Sequence, residues 1–515
     1  MKKNCLLLLL LFLGFAAQAA DIKVTDYGAK GDGTTLNTVA IQKAIDACNA
    51  KGGGHVIFPA GRYVSGTVLL KNNVTLQLEK DAWIIGSTDV NDYTNPDPFK
   101  DGLGVDVGWA LIAAVDVKNV GIVGAGGVDG QGSKLKERQI LTDTRPESQR
   151  WGRRPFLLRV VRCDGVLVKG VSLNYSAAWT SHYFQSRNLQ LEQLKIRSTG
   201  VAHNDGIDID GCQEVRISNC DIVSGDDALC FKTTSSKMKC NNIIVSDMKL
   251  KSNQAGIKMG TESMAGFENI SIRNCVIYDT KNGGIKLLSV DGAQIRNVII
   301  SDIKMMNIRT PILLRLGVRL SVFRKGQDVQ QKTGLFEKVV LKNIEAVSAD
   351  STQLKAASGI LITGIPEHKL SGVTLENIRI ELPGGGTADE AGADVPEAID
   401  KYPEVKTFGP VIPAYGIWAR HVSNINIKNV SFRLRRSDGR PAVLLQDAQQ
   451  LRMQGSVLPA TKGAVSVFEI KTSRDVVIER SKVGAGPEVF IKADGISKGE
   501  INSKENQLPP GMKKR

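Results

Sequence analysis

From about residue 120 onward the chain repeats one arrangement. A turn leads into a strand of alternating apolar and polar positions, then an Asn or Asp, then a second such strand. Aligned on this unit, Val171, Leu194, Cys220, Met248, Cys275, Ile303, Ile344, Ile378 and Val430 share a column. The first five steps along it are 23, 26, 28, 27 and 28 residues, and the later steps of 41, 34 and 52 imply insertions. The position before most members is a turn-former or a small polar residue: Gly170, Asn219, Asp247, Asn274, Asp302, Asn343, Asn377 and Asn429. A second column runs through Cys163, Ser186, Cys212, Cys240, Phe267 and Ile295. Like residues recurring at coil spacing imply stacked coils, each burying its apolar face against the next. The pattern predicts an all-β, right-handed parallel β-helix. A β-propeller is the alternative, but it should repeat at roughly 40–50 residues.

Ahead of the repeats, residues 26–48 read DYGAKGDGTTLNTVAIQKAIDAC. GDGTT is a turn, and Asn37 or Thr38 is placed to cap a helix with Ile41, Ala44, Ile45 and Cys48 on one face. The next stretch, GGGHVIFPAGRYVSGTVLL, alternates as strands do. A short helix there would close the open end of the stack. Residues 1–19 read as a signal peptide: Lys2 and Lys3, an apolar run over 6–15, then Ala17-Gln18-Ala19 as a cleavage site. The run is shorter than the roughly 20 residues a membrane span needs. The expectation is a secreted or periplasmic protein cut near Ala19, with a single β-helix catalytic domain over 20–497 and a loosely ordered polar tail over 498–515. No membrane span is expected, and the oligomeric state is open.

Without Cys5, seven of the eight cysteines remain. Export permits disulfides, yet Cys163, Cys212, Cys220, Cys240 and Cys275 share columns with Met, Ile and Phe. They read as buried small hydrophobes, with a disulfide among them as the less favoured alternative.

The formal charge of +14 becomes +12 without Lys2 and Lys3. That balance suggests an anionic partner. No nucleic-acid motif appears, and aromatic residues at 5% are too few to stack bases. An acidic polysaccharide or oligosaccharide fits better. No cofactor motif and no His/Cys metal cluster is visible. Strand parity then sorts the charges: with Ile207, Ile209, Leu229, Phe231, Ile257, Met259, Ile285, Leu287, Ile312 and Leu314 inward, Asp208, Asp210, Lys232, Lys258, Lys286 and Arg315 face out. Lys258 and Lys286 share one outer column, Lys232 and Arg315 another. Such a strip suits a polyanion; the alternative is that its charges pair with the neighbouring acids. Three loops are placed to wall it: 134–154, with seven basic and three acidic residues, 317–334 and 383–414.

The chemistry gathers in 198–234. Asp205 heads one short strand pattern, Asp226 and Asp227 head the next, and 22 residues separate Asp205 from Asp227. If 22 residues make one coil, the two turns stack at about 4.8 Å. Carboxylates that close cannot all ionise easily, so one should keep its proton. A proton-carrying acid beside an ionised base is what hydrolysis of a glycosidic bond requires.

At HNDGID and SGDDA the chain resembles glycoside hydrolase family 28, the polygalacturonase-like enzymes, in a form similar to pectin-active members from Bacteroidetes. The resemblance extends over nearly the whole mature chain, including DYGAKGDGTT and FGPVIPAYGIWARHV. It implies an inverting hydrolase of pectin-lyase-like fold in which Asp226 is the general acid and Asp205 and Asp227 activate water. It also exposes departures. The family's Gly-His-Gly is Gln254-Ala255-Gly256 here, its Arg-Ile-Lys is Lys286-Leu287-Leu288, and His203-Asn204-Asp205 replaces Asn-Thr-Asp. Lys keeps the charge of Arg but loses bidentate carboxylate recognition. A pectic substrate other than plain polygalacturonate is therefore expected, with Lys258 and Lys232 standing in for the lost cations. His203 is placed to orient Asp205 or bind sugar, and Trp179 to stack on a sugar ring. Glu262 lies within reach of the groove; Tyr415 and Arg420 resemble groove-facing positions without an assigned role. Two alternatives remain: a polysaccharide-binding β-helix without catalysis, and a polysaccharide lyase on the same fold.

Overall fold

Each coil contributes three short strands to three parallel stacks. One turn of the helix runs through Ile207–Asp210, Gln213–Ser218 and Asp221–Ser224. These pair in parallel with the next coil at Ile207↔Leu229, Val215↔Ile243 and Ile222↔Leu250. The computed structural model describes residues 20–459, 461, 463–496 and 499–514; the signal segment lies outside the described residues. From Phe267–Tyr278 to Ile417–Leu434 one long strand serves the second and third stacks together, the first of them pairing with both Cys240–Ser246 and Lys249–Ser252. Parallel strands joined by crossovers in one direction wind right-handed, and the result is the predicted right-handed parallel β-helix.

The columns read from the sequence are columns in space. Cys275, Ile303, Ile344, Ile378 and Val430 are successive register partners, so the long steps are loops thrown out from coils of constant size. Their side chains are buried with those of every neighbouring coil in one continuous core. The polar residue before each is left-handed, with φ between 52° and 53° at Asn274, Asn343, Asn377 and Asn429. This conformation bends the strand from the second stack into the third. The amides also form a ladder: Asn343 donates to Asp302 at 3.0 Å, Asn377 to Asn343 at 3.2 Å and Asn429 to Asn377 at 3.0 Å. Asn377→Ala is expected to lower stability by ~2 kcal/mol, from left-handed strain and two lost hydrogen bonds. Asn377→Gly should recover the backbone share. A urea midpoint unchanged in the alanine variant would show that the ladder contributes nothing.

The helix Thr38–Ala50 buries Ile41, Ala44, Ile45 and Cys48 against the first coil, as the periodicity predicts. Asn37 sits at its N-terminus but does not cap it through the side chain. Its amide turns back to the carbonyls of Lys30 and Thr35 at 3.0 and 2.7 Å, tying down the preceding turn. The far end corrects the expected tail: Ile501–Lys504 adds a strand in register with Arg474–Glu479, so the stack continues past residue 498. All seven described cysteines are free and buried. The thiols of Cys220 and Cys275 reach the carbonyls two residues back, at 3.3 and 3.2 Å. A small side chain with a weak donor thus satisfies a corner carbonyl where the chain turns.

Among the described residues no helix is long and apolar enough to cross a membrane.

Candidate active site

The first stack carries the site. Its outward column runs Ala113, Arg159, His182, Asp208, Cys230, Lys258, Lys286, Leu313, Leu361 and Trp418, coil by coil. Outward positions normally meet water, yet every one of these is buried. At the early coils Phe99, Val107 and Trp151 pack over Ala113, Phe156 and Trp179. At the late coils Val395, Val405, Phe408 and Ile412 pack over Leu288, Leu313, Leu361 and Trp418. Between the two covers remains a cleft of about 520 Å³. Asp205, Asp226 and Asp227 all line it, with Trp179, His203, Lys232, Lys258 and Glu262.

Backbone bonds between coils hold the acids in place. Gly206 donates its N–H to the Asp227 carbonyl at 2.8 Å, and Thr180 donates to that of Asp205 at 2.9 Å. Gly225 in SGDD has a steric reason: a Cβ there would stand 2.2 Å from Asn204 Oδ1. Asp205 and Asp227 bring carboxylate oxygens within 4.8 Å of each other, with Cys230 Sγ beside them. Asp227 accepts the Ala255 N–H at 3.0 Å and pairs with Lys258 Nζ at 2.7 Å. Asp226 is the least buried of the three, and its carboxyl accepts only the N–H of Asp227, at 3.0 Å.

These surroundings pull the acids apart. Burial drives the Asp226 carboxyl well above the usual range, and the charges of Asp205 and Asp227 drive it further. Burial acts on Asp227 in the same sense, but the ammonium groups of Lys258 and Lys232 overcome it and hold Asp227 below its ordinary value. Asp205 is raised by burial, opposed by Lys232. Asp208, sealed beneath, is raised well above the usual range by burial and by the charge of Asp205. The surroundings therefore favour a proton on Asp226 at the open side and an ionised carboxylate on Asp227 beside Lys258.

The cations fall differently from the expected ladder. Lys232 faces Asp205, Asp208 and Glu262 at 3.4, 3.5 and 3.4 Å and lies 4.4 Å from the Trp179 ring centroid. Lys258 is held by Asp227, and Lys286 by Glu404. Arg315 does not reach the cleft: it donates to the carbonyls of Glu397 and Ala398 at 2.8 and 3.0 Å and so anchors the loop that covers the late coils. The strip is thus a set of buried ion pairs and anchors, the alternative reading of the charges: acids of neighbouring coils meet Lys232 and Lys258, and the 383–414 loop brings an acid to Lys286 and carbonyls to Arg315. Trp179 is 3% exposed, wedged between Lys232 and Phe156, so its ring faces are covered and the expected sugar stacking is not available. His203 lines the cleft and stacks on Trp151 at 4.0 Å, and burial lowers its pKa to about 4. Tyr415 packs in the core against Phe432, and Arg420 bonds the carbonyls of Val395 and Pro396.

Asp101, Asn282, Tyr402 and Glu404 are among the lining residues that had no role from sequence. Asp101 belongs to the hairpin that covers the early coils; burial and the charge of Glu262 push it up to about 7. Glu262 itself accepts the Gly102 N–H at 2.8 Å. Burial would raise it, but Lys232 and Lys258 hold it at about 2. The length of loop 383–414 was the only signal for Tyr402 and Glu404.

Comparisons with known proteins point the same way. The family model "Glycosyl hydrolases family 28" matches residues 98–398, and "Rhamnogalacturonase A/epimerase, pectate lyase-like" matches 22–81. The chain is 24% identical over 402 residues to a probable polygalacturonase of Vitis vinifera, covering 74% of this chain and 78% of that one. It is 28% identical over 313 residues to an exo-poly-alpha-D-galacturonosidase of Dickeya chrysanthemi, 51% of each chain. In fold it resembles the family 28 exopolygalacturonase of Yersinia enterocolitica, with a TM-score of 0.64 at 20% identity over 84% of this chain and 78% of that one. A match across more than half of its length makes the chain a member of glycosyl hydrolases family 28, and therefore a glycoside hydrolase.

Proposed function

We propose that the protein is an exported hydrolase of a pectin-type, galacturonate-containing polysaccharide, acting with inversion at a chain end. The observation that carries the chemistry is the split between Asp226, pushed up, and Asp227, held down. Asp226 gives its proton to the glycosidic oxygen as the bond from that oxygen to the anomeric carbon breaks. A water oxygen attacks the same carbon from the opposite face, and its proton passes to Asp227, with Asp205 orienting the water. The closeness of Asp205 and Asp227 accords with their sharing the water, the acid being a third group. The relatives named as polygalacturonases support the pectic substrate.

Chain-end action is favoured by the covers at both ends of the outward column, which leave a pocket in place of a through-groove. A binding protein without catalysis would have no use for three acids of divergent protonation. The lyase alternative loses support because the water-activating pair and the raised acid are hydrolase equipment.

The test is product release from pectic polymers and oligosaccharides, with the anomer followed by NMR. Expected are saturated mono- or disaccharide products whose first anomer is inverted, with little early fall in viscosity. Retention, unsaturated products or a rapid loss of viscosity would each remove one part of the proposal.

A further inference from the structure

The cleft of a protein expected to bind a polyanion should present cations to it. This one does not. Lys232 and Lys258, which line it, and Lys286 beside them are each paired with the protein's own carboxylates. Among the described lining lysines, only Lys406 at the exposed rim has no carboxylate partner. One side of the cleft is formed by Gln254, Asn282, Tyr402 and Glu404. Asn282 donates both to Gln254 Oε1 and to Glu404 Oε2, each at 2.7 Å. Its Oδ1 is buried and has no donor. A buried acceptor with no partner calls for a hydroxyl from the ligand, and it repels a carboxylate.

We infer that the sugar seated against Gln254, Asn282 and Glu404 is uncharged: a neutral sugar, or a uronate whose carboxyl is esterified. The inference rests on the pectic hydrolase reading and narrows it. A free uronate there would lose its water beside Glu404, whose carboxylate already holds the buried Lys286. A ring bearing hydroxyls meets acceptors on the same wall and carries no charge to desolvate. The two sources of an uncharged ring share this chemistry, so they are separated by experiment.

The measurement is calorimetric binding to the Asp226→Asn variant, with hydrolysis by the unmodified protein alongside. Three oligosaccharides of equal length are compared: free oligogalacturonate, its methyl ester, and one alternating galacturonate with a neutral sugar. At least one of the last two should bind about tenfold tighter than the free acid, and the tighter of them names the source. Tightest binding by the free oligogalacturonate overturns the inference and leaves the hydrolase reading intact. The binding preference without hydrolysis of any arm overturns the hydrolase reading and not the inference; binding of none overturns both. Glu404→Gln, which frees Lys286, should narrow the preference about tenfold. An unchanged preference in the folded variant removes the Lys286–Glu404 pair as its origin.

Discussion

Asp226→Asn lowers kcat by on the order of 10²–10⁴ on an unactivated pectic substrate, with KM little changed. The amide keeps the shape of the carboxyl and removes the one proton that the leaving oxygen needs. Asp226 is also the member of the cluster with fewest partners, accepting a single backbone N–H, so its loss leaves the rest of the site in place. The signature is substrate-dependent. An aryl glycoside whose leaving group departs as a stable anion needs no proton and should lose far less. Asp227→Asn should lose a similar factor on both substrates, because water must be deprotonated whatever leaves. Equal losses for Asp226→Asn on the two substrates would remove it as the acid. With Asp226 as the proposed acid and Asp227 as the proposed base, the raised carboxyl of Asp226 is expected to set the alkaline limb of kcat/KM, and the lowered one of Asp227 the acid limb.

The coil was legible in the sequence because each coil obeys the same local rule. An apolar residue follows a left-handed Asn or Asp, and parallel stacking repeats that rule at each level. The acids at 205, 226 and 227 were legible for the same reason: coil spacing alone superposes them. Strand parity also told which side chains leave the core. What parity does not carry is what meets them outside. Glu404 reaches Lys286 across 118 residues and Gly102 reaches Glu262 across 160, through loops with no period. Read as an outward strip, Lys232, Lys258, Lys286 and Arg315 looked like a polyanion site. Lys232 and Lys258 support the acids of neighbouring coils, and Lys286 and Arg315 meet a loop whose groups the period does not place. Trp179 followed the same course, since the covering hairpin, invisible to the pattern, buries it.

That exchange of roles makes Lys258 a support whose removal acts on the acid it holds. Lys258→Met leaves the buried Asp227 carboxylate without its nearest cation. Breaking a buried pair on one side costs about 3–5 kcal/mol when the remaining charge stays ionised. Asp227 has a second course, which is to take up a proton. In the intact site its pKa lies below the ordinary 3.8, so its stabilising contribution is present above the unfolded value and is lost as pH falls through the folded one. Without Lys258 the balance tips back to burial, and the folded pKa rises above the unfolded one. The sign of the linkage then reverses: Asp227 destabilises the variant at neutral pH and ceases to do so as pH falls and it protonates. The acid limb of kcat/KM accordingly moves to higher pH, while the alkaline limb, set by Asp226, stays raised. Adding Asp227→Asn to Lys258→Met should restore most of the lost stability and none of the activity, which separates the pairing from the chemistry. Profiles of Lys258→Met and the unmodified protein that superpose, with stability unchanged, would show that Asp227 is held ionised by something other than Lys258.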